Sequence, residues 1–293
     1  MTKLLNKYTN GNYTVKIYDN GTKARVSKSG NFTAEFPENI DIKISNRCDL
    51  NCPYCHEGSV TDGENAHFNH TFLDTLRRGT ELAIGGGNVF ANPDFEQFLF
   101  DNKARGLISN ITISQVHFNE NIDKIKQYID TGLVYGVGVS IVDAELFSFG
   151  SLTEQQKQNI VFHVICGLVD FNTLEELSKK HDKILLLGYK SLRRGVEFYN
   201  KRFDRVNYGI DLLSDKLEQV FYLFKTVSFD NLALAQLDVK KYITDNDWDK
   251  YYMGDDGNFT MYIDLVASEF ALSSTSLVRY KLLDNIVDMF NLV

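Results

Sequence analysis

From Asp41 to Tyr189, short apolar runs alternate with amphipathic helical stretches six times over, and that rhythm leaves few folds open. The strand candidates are 42–45, 81–85, 110–114, 135–142, 160–166 and 183–188. Between them, Asn92-Pro93 with Glu96 has the form of an N-cap, first-turn proline and capping acid, and Gly106 stands where a C-terminal glycine belongs. Ile122, Ile125, Tyr128 and Ile129 make an apolar stripe that ends at Gly132. Leu174 and Leu177, followed by Lys179-Lys180, place cations near a helix C-terminus. Successive β-then-α units require a parallel sheet with right-handed crossovers. The alternation leaves open whether that sheet is doubly wound or a complete or partial barrel. In either case ligands gather at the C-terminal strand ends. Cys48, the run Gly85-Gly86-Gly87, Gln115 and His117 all fall there.

The flanks read differently. Tyr13, Val15 and Ile17 alternate with polar residues, Asn20-Gly21 supplies a turn, and Ala24 and Val26 resume the pattern, which predicts a hairpin appendage over 1–38. The α/β core is expected over 39–200 and a C-terminal capping extension over 201–293. Within the extension the pattern predicts a helix over 212–225, a strand over 232–237, a turn into a strand over 259–266 and an amphipathic helix over 276–290. Three prolines and no low-complexity stretch argue against a long linker. A net charge of −8 without a Lys/Arg block argues against an extended nucleic-acid surface. No run of about 18 apolar residues suggests a membrane span, and the first ten residues lack the apolar core of a signal peptide. A cytoplasmic protein is expected.

Three of the four cysteines, Cys48, Cys52 and Cys55, lie within eight residues. That is too few for a disulfide scaffold, and such a cytosolic cluster points to metal binding or catalysis. Thiolates are the ligands of iron–sulfur clusters, and three of them on one loop leave one iron without a protein ligand. A Cys3His zinc site using His56 or His67 is the structural alternative. Cys166 lies among Val161, Val164, Ile165 and Leu168, as a buried, inert core thiol does.

Cys-x3-Cys-x2-Cys, with Tyr54 before the last cysteine, a first β-strand just ahead and glycines one β/α unit later, resembles the radical S-adenosylmethionine (SAM) superfamily. The resemblance covers roughly 41–189. It implies a partial (β/α)6 TIM-like barrel, with the hairpin and the extension as additions. It further implies a [4Fe–4S] cluster on Cys48, Cys52 and Cys55 whose open iron chelates SAM. Reductive cleavage of SAM would then give a 5′-deoxyadenosyl radical that abstracts a substrate hydrogen, the cofactor carrying the hard chemistry. Gly85-Gly86-Gly87-Asn88 stands where the superfamily has Gly-Gly-Glu, with Asn88 in place of the acid. Ser140 matches a polar contact to SAM, and His163-Val164-Ile165-Cys166-Gly167 partly matches a Gly-x-Ile-x-Gly adenine-packing strand, with His163 for the first glycine. Tyr54 and Gln115 complete the expected cofactor-binding set.

A narrower similarity involves Cys55-His56-Glu57-Gly58-Ser59, Ala83-Ile84-Gly85-Gly86-Gly87-Asn88, Leu187-Gly188-Tyr189-Lys190 with Arg193-Arg194-Gly195, and Phe259-Thr260-Met261-Tyr262-Ile263-Asp264. These segments look like a bacterial and phage group of radical SAM proteins. The cysteine-free stretch 255–264 implies no second cluster. Glu57 and His117 are expected at the strand-end mouth, with Lys190, Arg193 and Arg194 as substrate-anion or solvated loop cations. Trp248, Tyr251 and Tyr252 are expected to pack the extension onto the core. The resemblance implies an unidentified substrate, a peptide or protein ahead of a small molecule or nucleotide, and an external electron donor such as flavodoxin or ferredoxin. The rival readings are a zinc-stabilised binding module and a catalytically degenerate homologue.

Overall fold

The computed structural model describes residues 3–293. Three antiparallel strands, β1 (Leu4–Asn10), β2 (Tyr13–Tyr18) and β3 (Lys23–Ser27), open the chain. The expected hairpin is β2–β3, and β1 adds a third strand on its other side. Tyr13, Val15 and Ile17 take the buried face and pack with Ile108 and Phe259, so period-2 alternation docks this sheet on the rest of the chain.

The main sheet follows: β4 (Asn39–Ser45), β5 (Glu81–Gly86), β6 (Ile108–Ser114), β7 (Gly136–Ser140), β8 (Ile160–Ile165), β9 (Lys183–Leu187), β10 (Thr226–Phe229), β11 (Thr260–Asp264), β12 (Glu269–Ala271) and β13 (Tyr280–Lys281). Their order is β10-β9-β8-β7-β6-β5-β4-β11-β12-β13. From β10 to β11 every pairing is parallel, so the parallel sheet has eight strands rather than the six expected. Two arise in the extension, where short strands carry little periodicity.

Three readings of the extension change. Residues 231–236 are a helix, because Asp230 accepts from the Ala233 N–H as an N-cap; the strand is the β-branched run just before it. The helix expected over 212–225 is two, Phe203–Asp215 and Leu217–Leu223, broken where Lys216 leaves helical geometry. Of the expected terminal helix only Ile286–Phe290 forms, since Tyr280 pairs with Phe270 in the sheet. Asn92 works on both sides: its Oδ1 accepts from Asp94 N at 3.0 Å, as a cap does, ahead of the regular helix from Phe95, while its buried amide donates to the Ile44 and Ala66 carbonyls.

The two faces of the sheet differ in kind. Ile40, Ile42, Ile44, Leu82, Ile84, Ile111, Ile113, Val137, Val139, Phe162, Val164, Ile184 and Leu186 share one apolar core with Phe98, Leu99, Ile125, Tyr128, Leu174, Leu177, Val206 and Leu213 of the helices. The alternate positions point the other way and are mixed: Asp41 and Lys43, Gly85, Thr112, Gly138 and Ser140, His163, Tyr262 and Asp264 are small or polar, beside the apolar Ile165, Leu185 and Leu187. The hydrogen-bond ladder does not close into a barrel. Its two ends nevertheless meet: Asn231, after β10, donates to Gly254 O at 3.3 Å and Asp256 Oδ1 at 2.7 Å, just before β11. Lys190, after β9, reaches Ser274 Oγ, after β12, at 3.0 Å. The sheet curls around this mixed face, and the C-terminal strand ends form one mouth. Among the described residues no helix is long and apolar enough to cross a membrane.

Candidate functional site

The cysteine loop leaves the end of β4 through a pinned neck. Ser45 Oγ donates to Asn65 Oδ1 at 2.7 Å, Cys48 N donates to Val60 O at 2.8 Å, and Val60 N donates to Asn46 O at 2.9 Å. Inside the neck two turns follow, Cys55 N to Cys52 O and Gly58 N to Cys55 O, both 3.2 Å. Left-handed backbone at Asn51 and Gly58 lets the chain wind so tightly. The three thiols are half-buried. Burial pushes the Cys48 and Cys52 thiols up, and charge on the neighbouring cysteines pushes the same way, so the three sense one another electrostatically. Tyr54 sets its ring edge-on to Phe198 at 5.8 Å, and burial, with charge on Cys52 beside it, pushes its phenol up.

Arg193 and Arg194 brace this loop from the far side of the mouth. Arg194 donates from Nε to Cys52 O at 3.0 Å and from Nη1 to Ser59 O at 2.8 Å, and Arg193 Nη1 donates to His56 O at 2.8 Å. The Arg194 fork is spent on backbone carbonyls, which is a positioning role, while Arg193 also lies 3.8 Å from the Glu57 carboxylate. Lys190 remains at the mouth, beside Tyr54, His56, Ile165, Leu187, Gly188 and Tyr189, around a small cavity of about 30 Å³.

The glycine run divides into two tasks. A side chain on Gly86, at φ +114°, would meet Ser45 O at 2.5 Å, and one on Gly87 would meet Arg47 O at 2.3 Å. Gly87 N and Asn88 N donate to Ser45 O and Arg47 O at 2.7 and 2.8 Å. These residues are glycine because the backbone entering the cysteine loop lies directly on them. Gly85 is different, with only Thr112 near, at 3.8 Å. Asn88 caps the next turn by accepting from Phe90 N at 3.1 Å.

Gln115 is also committed. It accepts from Val142 N and Asp143 N and donates to Asp143 O, all within 3.0 Å, so it holds the loop after β7. Ser140 ends β7 in register with Ser114 on one side and His163 on the other. The His163 ring lies over Gly138, where a Cβ would come within 2.0 Å of it. Its buried Nδ1 has no partner, and burial pushes the imidazole down to about 4, so the ring is neutral near pH 7.

Sequence reasoning missed three participants. Lys43, at 4% exposure, contacts Glu57 Oε2 at 3.1 Å and Asp264 Oδ2 at 3.2 Å, tying β4 and β11 to the end of the cysteine loop. Burial alone would raise the Glu57 carboxyl, but His56 and Lys43 outweigh it and hold it well below the usual carboxylate range. The signal for Lys43 was a lysine alternating with Ile42 and Ile44 in an otherwise apolar strand. Asp49 is the third, its Oδ1 2.8 Å from His117 Nε2. Cys166 is fully buried with its thiol pushed up to about 12 by burial, as an inert core thiol should be. The packing role expected of the aromatic extension residues is overturned: the helix Asp245–Tyr251 buries none of its residues, and Trp248 stacks on Tyr252 at 4.6 Å.

The donor set fits a cluster better than a lone ion. A tetrahedral zinc with Zn–S bonds of about 2.3 Å holds its sulfurs within about 4 Å of one another. Among the described residues the one trio of candidate ligands within 4.8 Å of each other is Cys48, Asp49 and His117, not the three thiols. His67 lies elsewhere, on a wide hollow of about 680 Å³ with Glu64, His70, Asp94, Leu265 and Ser268, so it joins no zinc site with the thiols. Beside the loop, Asn46 Oδ1 and Ser59 Oγ are buried without hydrogen-bond partners. With His163 Nδ1 these are polar atoms that a ligand would satisfy.

No protein-family model matches the chain, and no curated protein matches it in sequence. Solved structures do. SuiB of Streptococcus suis bound to the precursor peptide SuiA superposes with a TM-score of 0.55 at 16% identity, over 90% of this chain and 66% of that one. The chain has the SuiB fold. SuiB bound to S-adenosylmethionine and SuiB alone match with a TM-score of 0.53 and 16% identity over 90% of this chain. This chain spans about two thirds of the length of those proteins.

Proposed function

We propose that this protein is a radical SAM enzyme, with one [4Fe–4S] cluster held by Cys48, Cys52 and Cys55 at the mouth of the curled sheet. The observation that carries this reading is the three-cysteine loop at the end of β4, packed backbone to backbone on the glycine run of β5, in a chain with the fold of a SAM-bound protein. When bound, the cluster and SAM supply a 5′-deoxyadenosyl radical for hydrogen abstraction. Everything else falls to the chain's own groups. Gly85 leaves room at the mouth for a cofactor backbone. Ser140 and His163 offer a hydroxyl and a neutral imidazole with unspent hydrogen-bonding capacity, and Ile165 and Tyr54 offer apolar surface. Gly86, Gly87, Asn88 and Gln115 hold the walls of that site. Arg193, Arg194 and the Lys43–Glu57–Asp264 group fix the cysteine loop, and the curled sheet keeps water from the reacting atoms.

SuiB was solved with a precursor peptide, which supports a peptide or protein substrate here ahead of a small molecule or nucleotide. The reduction step needs an external donor of flavodoxin or ferredoxin type, and the cytoplasm suits an exposed cluster. In domain terms, 1–38 is an appendage, 39–200 the core and 201–293 an extension whose strands complete the sheet.

Anaerobic reconstitution with iron and sulfide tests the proposal. The expected result is about four irons per chain and 5′-deoxyadenosine release from SAM under dithionite, both lost in Cys52→Ala. No iron uptake by protein first stripped of zinc with a chelator would refute it.

A further inference from the structure

A second set of metal donors converges beside the cysteine loop. The Cys48 sulfur, an Asp49 carboxylate oxygen and a His117 ring nitrogen all lie within 4.8 Å of one another. They come from two places in the chain: Cys48 and Asp49 follow β4, and His117 lies in the first turn of the helix Gln115–Glu120 that follows β6. As β5 separates β4 from β6, the fold, not sequence proximity, brings them together. His117 is 2% exposed, and Ser114 Oγ accepts its backbone N–H at 3.2 Å. The Asp49 side chain is 61% exposed. The site therefore has one anchored wall and one side open to water.

The donor chemistry is selective. Thiolate, imidazole and carboxylate together suit a borderline transition ion such as Zn²⁺, Fe²⁺ or Co²⁺, whereas Mg²⁺ and Ca²⁺ require oxygen sets. Nε2 and Oδ1 are 2.8 Å apart, and opening that gap by about half an ångström gives the spacing of two tetrahedral ligands with bonds of about 2 Å. Three protein donors with a solvent-facing fourth position make an open site rather than a closed structural one.

We propose that Cys48, Asp49 and His117 form a mononuclear divalent metal site, best matched to Zn²⁺, in the cluster-free protein. Binding displaces the Cys48 thiol proton to solvent, and the neutral His117 ring takes the tautomer with its proton on Nδ1, leaving Nε2 for the ion; no electron moves. Because Cys48 also belongs to the proposed cluster, the two occupancies exclude each other, and an ion here blocks cluster assembly until it is withdrawn. Only this exclusivity rests on the reading of the preceding subsection.

The test uses the full chain, reduced and cluster-free, titrated anaerobically with Co²⁺ and then competed with Zn²⁺. The expected result is one Co²⁺ per chain with a thiolate charge-transfer band. Cys48→Ser should abolish it, and His117→Gln and Asp49→Asn should each weaken it by roughly tenfold or more. The Cys52→Ser/Cys55→Ser double variant should leave it intact. Preloaded Zn²⁺ should slow iron uptake by the parent chain and much less by Asp49→Asn, whose exposed position keeps folding out of the comparison. Absence of stoichiometric Co²⁺ binding overturns the proposal. So does binding that ignores His117→Gln and Asp49→Asn but is lost in the double variant. Cobalt binding as described, in a chain that never assembles a cluster, overturns the radical SAM reading and leaves this site standing.

Discussion

Replacing Lys43 with methionine keeps the aliphatic length of the side chain and removes its charge, which isolates the electrostatic part of the loop anchor. Among the described residues Lys43 is the one cation within 4 Å of both Glu57 and Asp264, and all three side chains are more than nine-tenths buried. At an effective dielectric constant near 20, each contact of about 3 Å is worth roughly 5 kcal/mol of Coulomb energy. Desolvation cancels much of that, and breaking a buried pair from one side costs about 3–5 kcal/mol. Two carboxylates are stranded here, though His56 and Arg193 at 3.4 and 3.8 Å from Glu57 soften the loss, so the same range applies. For 293 residues, an unfolding entropy of about 2.1 cal/mol/K per residue converts this to a Tm lowered by roughly 5–8 °C. Thermal melts and urea titrations of the parent, K43M and the triple variant K43M/E57Q/D264N measure it. The triple variant should recover most of the loss, because no buried charge is left without a partner. If K43M costs less than about 1 kcal/mol, or if the triple variant is no more stable than K43M, the buried-anchor argument is wrong.

Other outcomes follow from the same geometry. Gly86→Ala and Gly87→Ala force a Cβ to within 2.5 and 2.3 Å of carbonyl oxygens. Each should cost on the order of 1–3 kcal/mol and lower iron uptake per chain. Gly85→Ala, with nothing closer than 3.8 Å, should melt like the parent and weaken SAM in equilibrium dialysis. His163, held down to about 4 by burial against an ordinary 6.5, takes up protons more readily unfolded than folded. Its contribution, up to about 3 kcal/mol, is therefore complete above pH 6.5 and is lost as the pH falls toward 4. Urea titrations of the parent and His163→Gln across that range should show the steeper slope in the parent; equal slopes would refute the assignment. Cys166→Ala should load as much iron as the parent, whereas Cys55→Ala should load none.

Much of the core was legible because each parallel strand buries one aliphatic face. All six expected strands form, with edges within three residues of the pattern, since β-branched runs bounded by glycine and polar residues specify strands locally. Gly106 takes the left-handed C-cap at φ +75° as read. The extension was harder. Its strands are short, and a leucine–alanine run such as 232–236 carries the same hydrophobicity in a strand as in a helix. The Asp230 cap, a single side-chain hydrogen bond, decides it.

The sequence by itself determined that three thiols sit on one loop after a strand, that glycines end the next strand, and that the units repeat as β then α. These are local facts, written in spacing and periodicity. Only the tertiary structure decided what each residue is free to do. Gly86 and Gly87 are consumed by backbone contact with the loop, and Gln115 by the turn after β7, while Arg193 and Arg194 brace carbonyls across the mouth. Lys43, Glu57 and Asp264 meet from three distant segments, and so do Cys48, Asp49 and His117 from two. The reason is physical: hydrogen bonds and ion pairs depend on distance in space, and the curl of the sheet, which no single segment encodes, sets those distances.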